Sequence, residues 1–131
     1  MSRKVSLAGV CLGVLLALVA CGPKTATLKI DMQEFKFVPD HWFVPAEAQV
    51  TVTLNNAGAL DHTWIIMKKG VTATTPFANQ DASTIFWKAQ VPAGQQQTFT
   101  FVAPADPGDY EVVCGESGHL EQGMKGTLTV Q

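Results

Sequence analysis

From Leu28 onward the chain alternates. Leu28, Ile30 and Met32 are separated by Lys29 and Asp31, the two-residue period of a strand with one buried face. The segment FKFVP continues it. Val50, Val52 and Leu54 repeat the pattern, and Asn55-Asn56-Ala57-Gly58 follows with residues that favour turns. HTWIIMKKG reads as a buried strand that stops at Gly70. QQTFTFVAP alternates through Phe99 and Phe101. PGDYEVVC is a turn and then a strand, and MKGTLTVQ closes the chain with Leu128 and Val130 facing one way. Seven to eight short strands broken by Pro and Gly predict an all-β protein, a Greek-key β-sandwich. Residues 71–87 show no clear alternation and predict a short helical turn or a long surface loop. Tyr110, opening the strand that leads to Cys114, reads either as the tyrosine corner of such sandwiches or as plain core.

The first twenty residues follow a different pattern. Arg3 and Lys4 precede an apolar run from Val5 to Ala20. That is the layout of a secretory signal, and it is short of the ~20 apolar residues that span a membrane. Leu18-Val19-Ala20-Cys21 resembles the bacterial lipobox, which implies cleavage before Cys21 and a lipid on its thiol. The expected organisation is a signal peptide over 1–20, a lipid-anchored tether over 21–27 and one domain over 28–131. The product would be an exported bacterial lipoprotein, anchored on the periplasmic or outer face of a membrane. The formal net charge is −2 and no basic stripe appears, which excludes nucleic acid as an expected partner. Of the three cysteines, Cys11 leaves with the signal and Cys21 takes the lipid. Cys114 is then alone, and a lone thiol in an exported protein is no structural disulfide.

Cys114 opens the stretch CGESGHLEQGM, in which Cys114, His119 and Met124 stand at Cys-x4-His-x4-Met spacing with Gly115, Gly118 and Gly123 between them. Thiolate, imidazole and thioether together suit copper. Two His and one Cys with a long axial Met are the blue-copper arrangement. The second imidazole has to come from outside the loop. His62 begins a strand after the NNAGALD loop, at an end of the sandwich, whereas His41 in PDHWF reads as a surface residue. Each residue alone has an ordinary reading: Cys as a small buried hydrophobe, Met as core, His as loop surface. Those readings do not explain three metal-capable types on one Gly-rich turn with a separate His ahead of a strand. The glycines let the chain turn tightly enough to present three donors to one ion.

VPAGQQQTFTFVAPADPGDYEVVCGESGHLEQGMKGTLTV, with its PAG, PGxYxxxC and GMKGTL elements, is similar to the C-terminal half of the cupredoxin family. FKFVPDHWFVPAEAQVTVTLNNAGALDHTW resembles the N-terminal half. Plastocyanin and azurin share the wider pattern, and the Cys-x4-His-x4-Met spacing is that of the auracyanin members. The resemblance implies that His62, Cys114 and His119 bind one copper ion in a plane, with Met124 axial and the carbonyl of Asp61 on the opposite side. It implies a monomer that cycles between Cu(I) and Cu(II) and carries single electrons between membrane-associated redox proteins. Cytochromes, an oxidase or a reaction centre would dock transiently as donors and acceptors. Ala57, Gly58, Ala59, Leu60, Leu120 and Gly123 are expected to form an uncharged apolar docking rim. A site closed by four protein donors keeps no position for a substrate, so an enzyme is not expected. A copper carrier or storage lipoprotein is the alternative. Three positions depart from the family. Thr63 stands where Asn is common, Gly115 where Ser or Thr is common, and Glu116 where relatives often carry an apolar residue. In relatives the side chains at 63 and 115 tie the two ligand loops, so that tie is not expected in its usual form. The backbone N–H groups of Thr63 and Glu116 remain available to the Cys114 sulfur.

Overall fold

The computed structural model describes residues 22–131. Its strands are β1 (Thr25–Gln33), β2 (Lys36–Val38), β3 (His41–Val44), β4 (Gln49–Asn56), β5 (His62–Met67), β6 (Ile85–Val91), β7 (Gln96–Val102), β8 (Gly108–Val113) and β9 (Lys125–Val130). They form two sheets, in the orders β2-β1-β4-β7 and β3-β9-β8-β5-β6. The fold is the all-β sandwich that the alternation predicts. Ile30 and Met32 of β1, Val50, Val52 and Leu54 of β4, Val112 of β8 and Leu128 and Val130 of β9 are buried between the sheets.

The strand count exceeds the seven to eight of the sequence reading. The four-residue β3 is too short to show a period, yet it pairs in parallel with β9. The segment FKFVP does not simply continue β1: the chain reverses at Glu34-Phe35, and β2 pairs back antiparallel. Strand β6 begins inside the stretch without alternation. Before it, that stretch holds two single 3-10 turns, at Phe77–Asn79 and Ala82–Thr84. The domain also begins earlier than Leu28. Thr25, Ala26 and Thr27 pair in register with Gln49, Val50 and Thr51, so ladder hydrogen bonds recruit residues with little apolar signal. The signal peptide over 1–20 and the acylated Cys21 lie outside the described residues. Among those described, no helix is long and apolar enough to cross a membrane.

Strand β5 is buried on both faces. Trp64 and Ile66 face the main core. Ile65 and Met67 face outward into a second apolar cluster with Val113 and Leu120, packed against Val71, Ala73, Phe77 and Ile85. The 71–84 excursion therefore covers the outer face of the second sheet, and this is why HTWIIM reads as a continuous apolar run. Tyr110 proves to be both of its readings. Its ring is buried, and its hydroxyl donates to the carbonyl of Asp106 at 2.7 Å, the backward bond of a tyrosine corner.

Register decides what meets at each end. The end of β1, the β4–β5 loop, the end of β6 and the loop after β8 all lie at one end of the sandwich, since His62 pairs with Val91 and Met32 with Asn56. The start of β1 lies at the other end, where Thr25 pairs with Gln49 and Gln49 with Val102.

Candidate metal centre

Two loops build the centre. The first, residues 57–61, is organised from within by Asn56, a buried polar residue. Its Nδ2 donates to the carbonyls of Leu60 at 2.8 Å and Val91 at 2.9 Å, and its Oδ1 accepts from the N–H of Gly58 at 3.0 Å. The carboxylate of Asp61 accepts from the N–H of Ala93 at 3.0 Å. Together these bonds fix the entry to β5 and hence the place of His62.

The second loop, residues 114–124, is a run of backbone turns. His119 N–H donates to Glu116, Gly123 N–H to Leu120 and Met124 N–H to His119. Cys114 N–H donates to the carbonyl of Met124 at 3.1 Å, which closes the loop on itself. Gly118 and Gly123 stand at φ +81° and +93°, where a side chain is strained. Gly115 is different. A Cβ there would strike the Phe77 ring and the tip of Ile65, so this glycine is required by packing and not by the turn.

The loops bring His62, Cys114 and His119 together, and all three are buried. Nδ1 of His62 lies 3.2 Å from Nδ1 of His119. Cys114 Sγ lies 3.3 Å from Nδ1 of His119 and 3.8 Å from Nδ1 of His62. A triangle with these sides has its corners about 2 Å from a common centre, close to the length of a metal bond to imidazole or thiolate. Nε2 of His62 is buried without a hydrogen-bond partner, so the polar engagement of that ring is through Nδ1 alone. Met124 is fully buried and joined through its backbone to both Cys114 and His119. His41, by contrast, is exposed and hydrogen-bonded to Asp40, in agreement with its surface reading.

Electrostatics fit the same ion. Burial pushes the Cys114 thiol above its ordinary range, against the N–H of Thr63, the N–H of Glu116 and the Thr63 hydroxyl, which pull it down. Burial, and then the neighbouring His119, push the His62 imidazole below its ordinary value. Left to themselves, the Cys114 thiol and the His62 imidazole favour their neutral forms. A soft cation among them would reverse that balance and hold Cys114 as thiolate.

One departure from the family pattern is compensated. The side-chain tie between positions 63 and 115 is replaced by a side-chain-to-backbone tie. The N–H of Gly115 donates to Thr63 Oγ1 at 2.7 Å, while Thr63 N–H and Oγ1 approach Cys114 Sγ at 3.5 and 3.7 Å. The expected rim also needs correction. Leu60 is 47% exposed, but Leu120 is buried in the second cluster. Asp61 and Glu116 line the recess above His119 together with Ala59, Leu60 and Ser117, and Glu34 folds over Gly58. The rim is acidic because Asp61 and Glu116 belong to the ligand loops themselves and the register of β1 on β4 adds Glu34. Glu34 carried no sequence signal, since its contacts are with a loop 25 residues away. For Asn56 the turn-forming dipeptide Asn55-Asn56 was the available clue.

Two imidazoles, a thiolate and a buried thioether at one end of a β-sandwich form a type-1 site for one copper ion, and the chain belongs to the cupredoxin-like domain family, whose model matches residues 8–130. Among its relatives is auracyanin-B of Chloroflexus aurantiacus, 36% identical over 93 residues. That match covers 60% of this chain and 39% of the relative, so the chain spans well under half of that protein's length. A dithionite-reduced auracyanin of Roseiflexus castenholzii superposes with a TM-score of 0.69 at 29% identity, covering 84% of this chain and 99% of that one. Auracyanin A, a blue copper protein of Chloroflexus aurantiacus, superposes with a TM-score of 0.67 at 27% identity, covering 84% of this chain and all of its own.

Proposed function

We propose that this protein is a blue-copper electron carrier. In this reading His62, Cys114, His119 and Met124 would hold the ion, and the Asp61 carbonyl would be a further weak donor. Bound there, copper supplies a one-electron Cu(I)/Cu(II) couple. The protein's part is to keep one donor geometry through both states. Two buried histidines, a buried thiol and crosslinked loops exclude water and resist rearrangement, which favours electron transfer over substrate chemistry. His119 is the way in and out: it retains 5% exposure beneath the recess, whereas His62 and Cys114 retain none. Donor and acceptor are redox proteins, such as cytochromes, an oxidase or a reaction centre, that dock transiently on this end of a monomer. The acidic rim calls for a basic docking face on the partner, and association should weaken with added salt. A lipid on Cys21 would hold the carrier at the periplasmic or outer face of a membrane.

The observation that carries the reading is the buried triangle of donors with a centre at metal-bond distance. The test is the visible spectrum of the oxidised, copper-loaded protein. An intense thiolate-to-copper band is expected, lost in Cys114→Ala and His62→Ala and kept in His41→Ala. A blue Cys114→Ala protein would sink the assignment, as would a requirement for His41 in place of His62.

A further inference from the structure

The two-residue turn between β1 and β2 lies against the metal centre without supplying a donor. Glu34 Oε1 accepts from the N–H groups of Ala59 at 2.5 Å and Leu60 at 3.1 Å, within the loop that ends in His62. The side chain crosses Gly58 so closely that a Cβ there would fall on the carboxylate. The N–H of Ala59 foremost holds the Glu34 carboxyl below its ordinary range, so the acceptor is charged at neutral pH. The next residue, Phe35, packs its ring against His119, with centroids 5.3 Å apart and planes at 85°. Adjacent residues of one turn thus touch the surroundings of two imidazoles that lie 57 positions apart in sequence.

Phe35 does this at φ +64°. That left-handed conformation is an outlier for a bulky residue, and such strain persists only where the surroundings over-determine it. Glycine would satisfy the turn better. The ring is 37% exposed, so burial in the core does not account for a phenylalanine here. Contact with His119 does.

We propose that Glu34-Phe35 is a positioning clasp on the metal centre. Glu34 pins the loop that presents His62, and Phe35 holds the ring of His119, the donor with residual exposure and so the one at which ligand exchange begins. The clasp keeps the donors assembled and slows loss of the ion. This rests on the copper-binding reading of the same site.

Three variants separate the contributions. Phe35→Gly removes the ring and relieves the backbone. Glu34→Ala removes the acceptor, and Glu34→Gln keeps an acceptor oxygen. Transfer of Cu(I) from each loaded protein to an excess of a Cu(I) chelator is timed. Urea unfolding, backbone amide exchange and the line widths of the His119 ring carbons are measured on the metal-free proteins. Phe35→Gly and Glu34→Ala are expected to release copper several-fold faster than the parent, with Glu34→Gln nearer the parent. The urea midpoint of metal-free Phe35→Gly is expected to equal or exceed the parent's. The Ala59 and Leu60 amides should exchange faster in Glu34→Ala, and the His119 ring should broaden or sharpen in Phe35→Gly. Copper release at the parental rate in both variants overturns the proposal. So does faster release from Phe35→Gly accompanied by a lower midpoint, because Phe35 would then be supporting the fold only. A parent that takes up no copper refutes the copper reading instead. In that case unchanged amide exchange and ring dynamics in the metal-free variants would still reject the clasp.

Discussion

Thr63 and Glu116 show how single residues set the character of a metal thiolate without touching the metal. The Thr63 hydroxyl accepts from the N–H of Gly115 and offers its own proton toward Cys114 Sγ. Thr63→Val keeps the volume and deletes both bonds. The half-buried N–H of Gly115 is then unpaired, and urea unfolding is expected to show a loss of about 1 kcal/mol. The N–H of Glu116, like that of Thr63, pulls the Cys114 thiol toward its charged form, as a donor aimed at the sulfur would. The sulfur is more negative in the cuprous state, so each such bond favours reduction. Glu116→Pro removes the donor, and Glu116→Gln controls for the lost charge. If one bond differs by about 1 kcal/mol between the states, voltammetry should place the Pro variant about 40 mV below the Gln variant, at ~59 mV per tenfold for one electron. Equal potentials would mean that this N–H contributes nothing to the sulfur.

Among the elements, the 71–84 excursion has the least legible sequence and a definite mechanical role. Its first apolar residues pack with β5, β8 and Leu120, directly behind the ligand loop, and Glu111 anchors it by accepting from the N–H of Ala73 at 2.7 Å. Phe77 occupies the space that a side chain at 115 would need. Gly115→Ala is therefore expected to destabilise the metal-free protein by about 1–3 kcal/mol through overpacking. Phe77→Ala should also destabilise, yet the double variant should lose less than the sum of the two, with a coupling above about 0.5 kcal/mol in urea unfolding. Strict additivity would show that the two sites do not share that space.

Across the whole domain, the metal centre and the start of β1 lie at opposite ends. Strand β1 runs from the N-terminal end of the domain to the metal end, and nine strand residues span about 30 Å at ~3.3 Å each. A lipid on Cys21 would sit at the far end, joined to β1 by three intervening residues, Gly22 to Lys24. Such an anchor would hold the domain close to the membrane with the metal end turned away from it. Cys21→Ser is expected to move the protein from the membrane to the soluble fraction of cells while leaving the copper spectrum unchanged. Equal membrane retention of both forms would remove Cys21 as the anchor.

Much of this was legible before any fold was known. Alternation at Leu28–Met32, Val50–Leu54 and Phe99–Phe101 specifies strands because each has one face in the core and one outside it. The Cys-x4-His-x4-Met spacing specifies three donors because one short loop carries them, so their proximity is local. His62 could be placed at a sandwich end because a loop precedes it and a strand follows. What lay beyond reach was set by pairing between distant segments. β3 and the first residues of β1 gain their structure from ladder partners, not from their own pattern. Gly115 owes its identity to Phe77, 38 positions earlier in the chain. The Glu34-Phe35 turn reaches the metal end only through the register of β1 on β4, whereas Asp61 and Glu116 arrive there with the ligand loops themselves. Periodicity records which face of a segment is buried, but not which other segment buries it, and at this copper site the second kind of information chooses the residues around the donors.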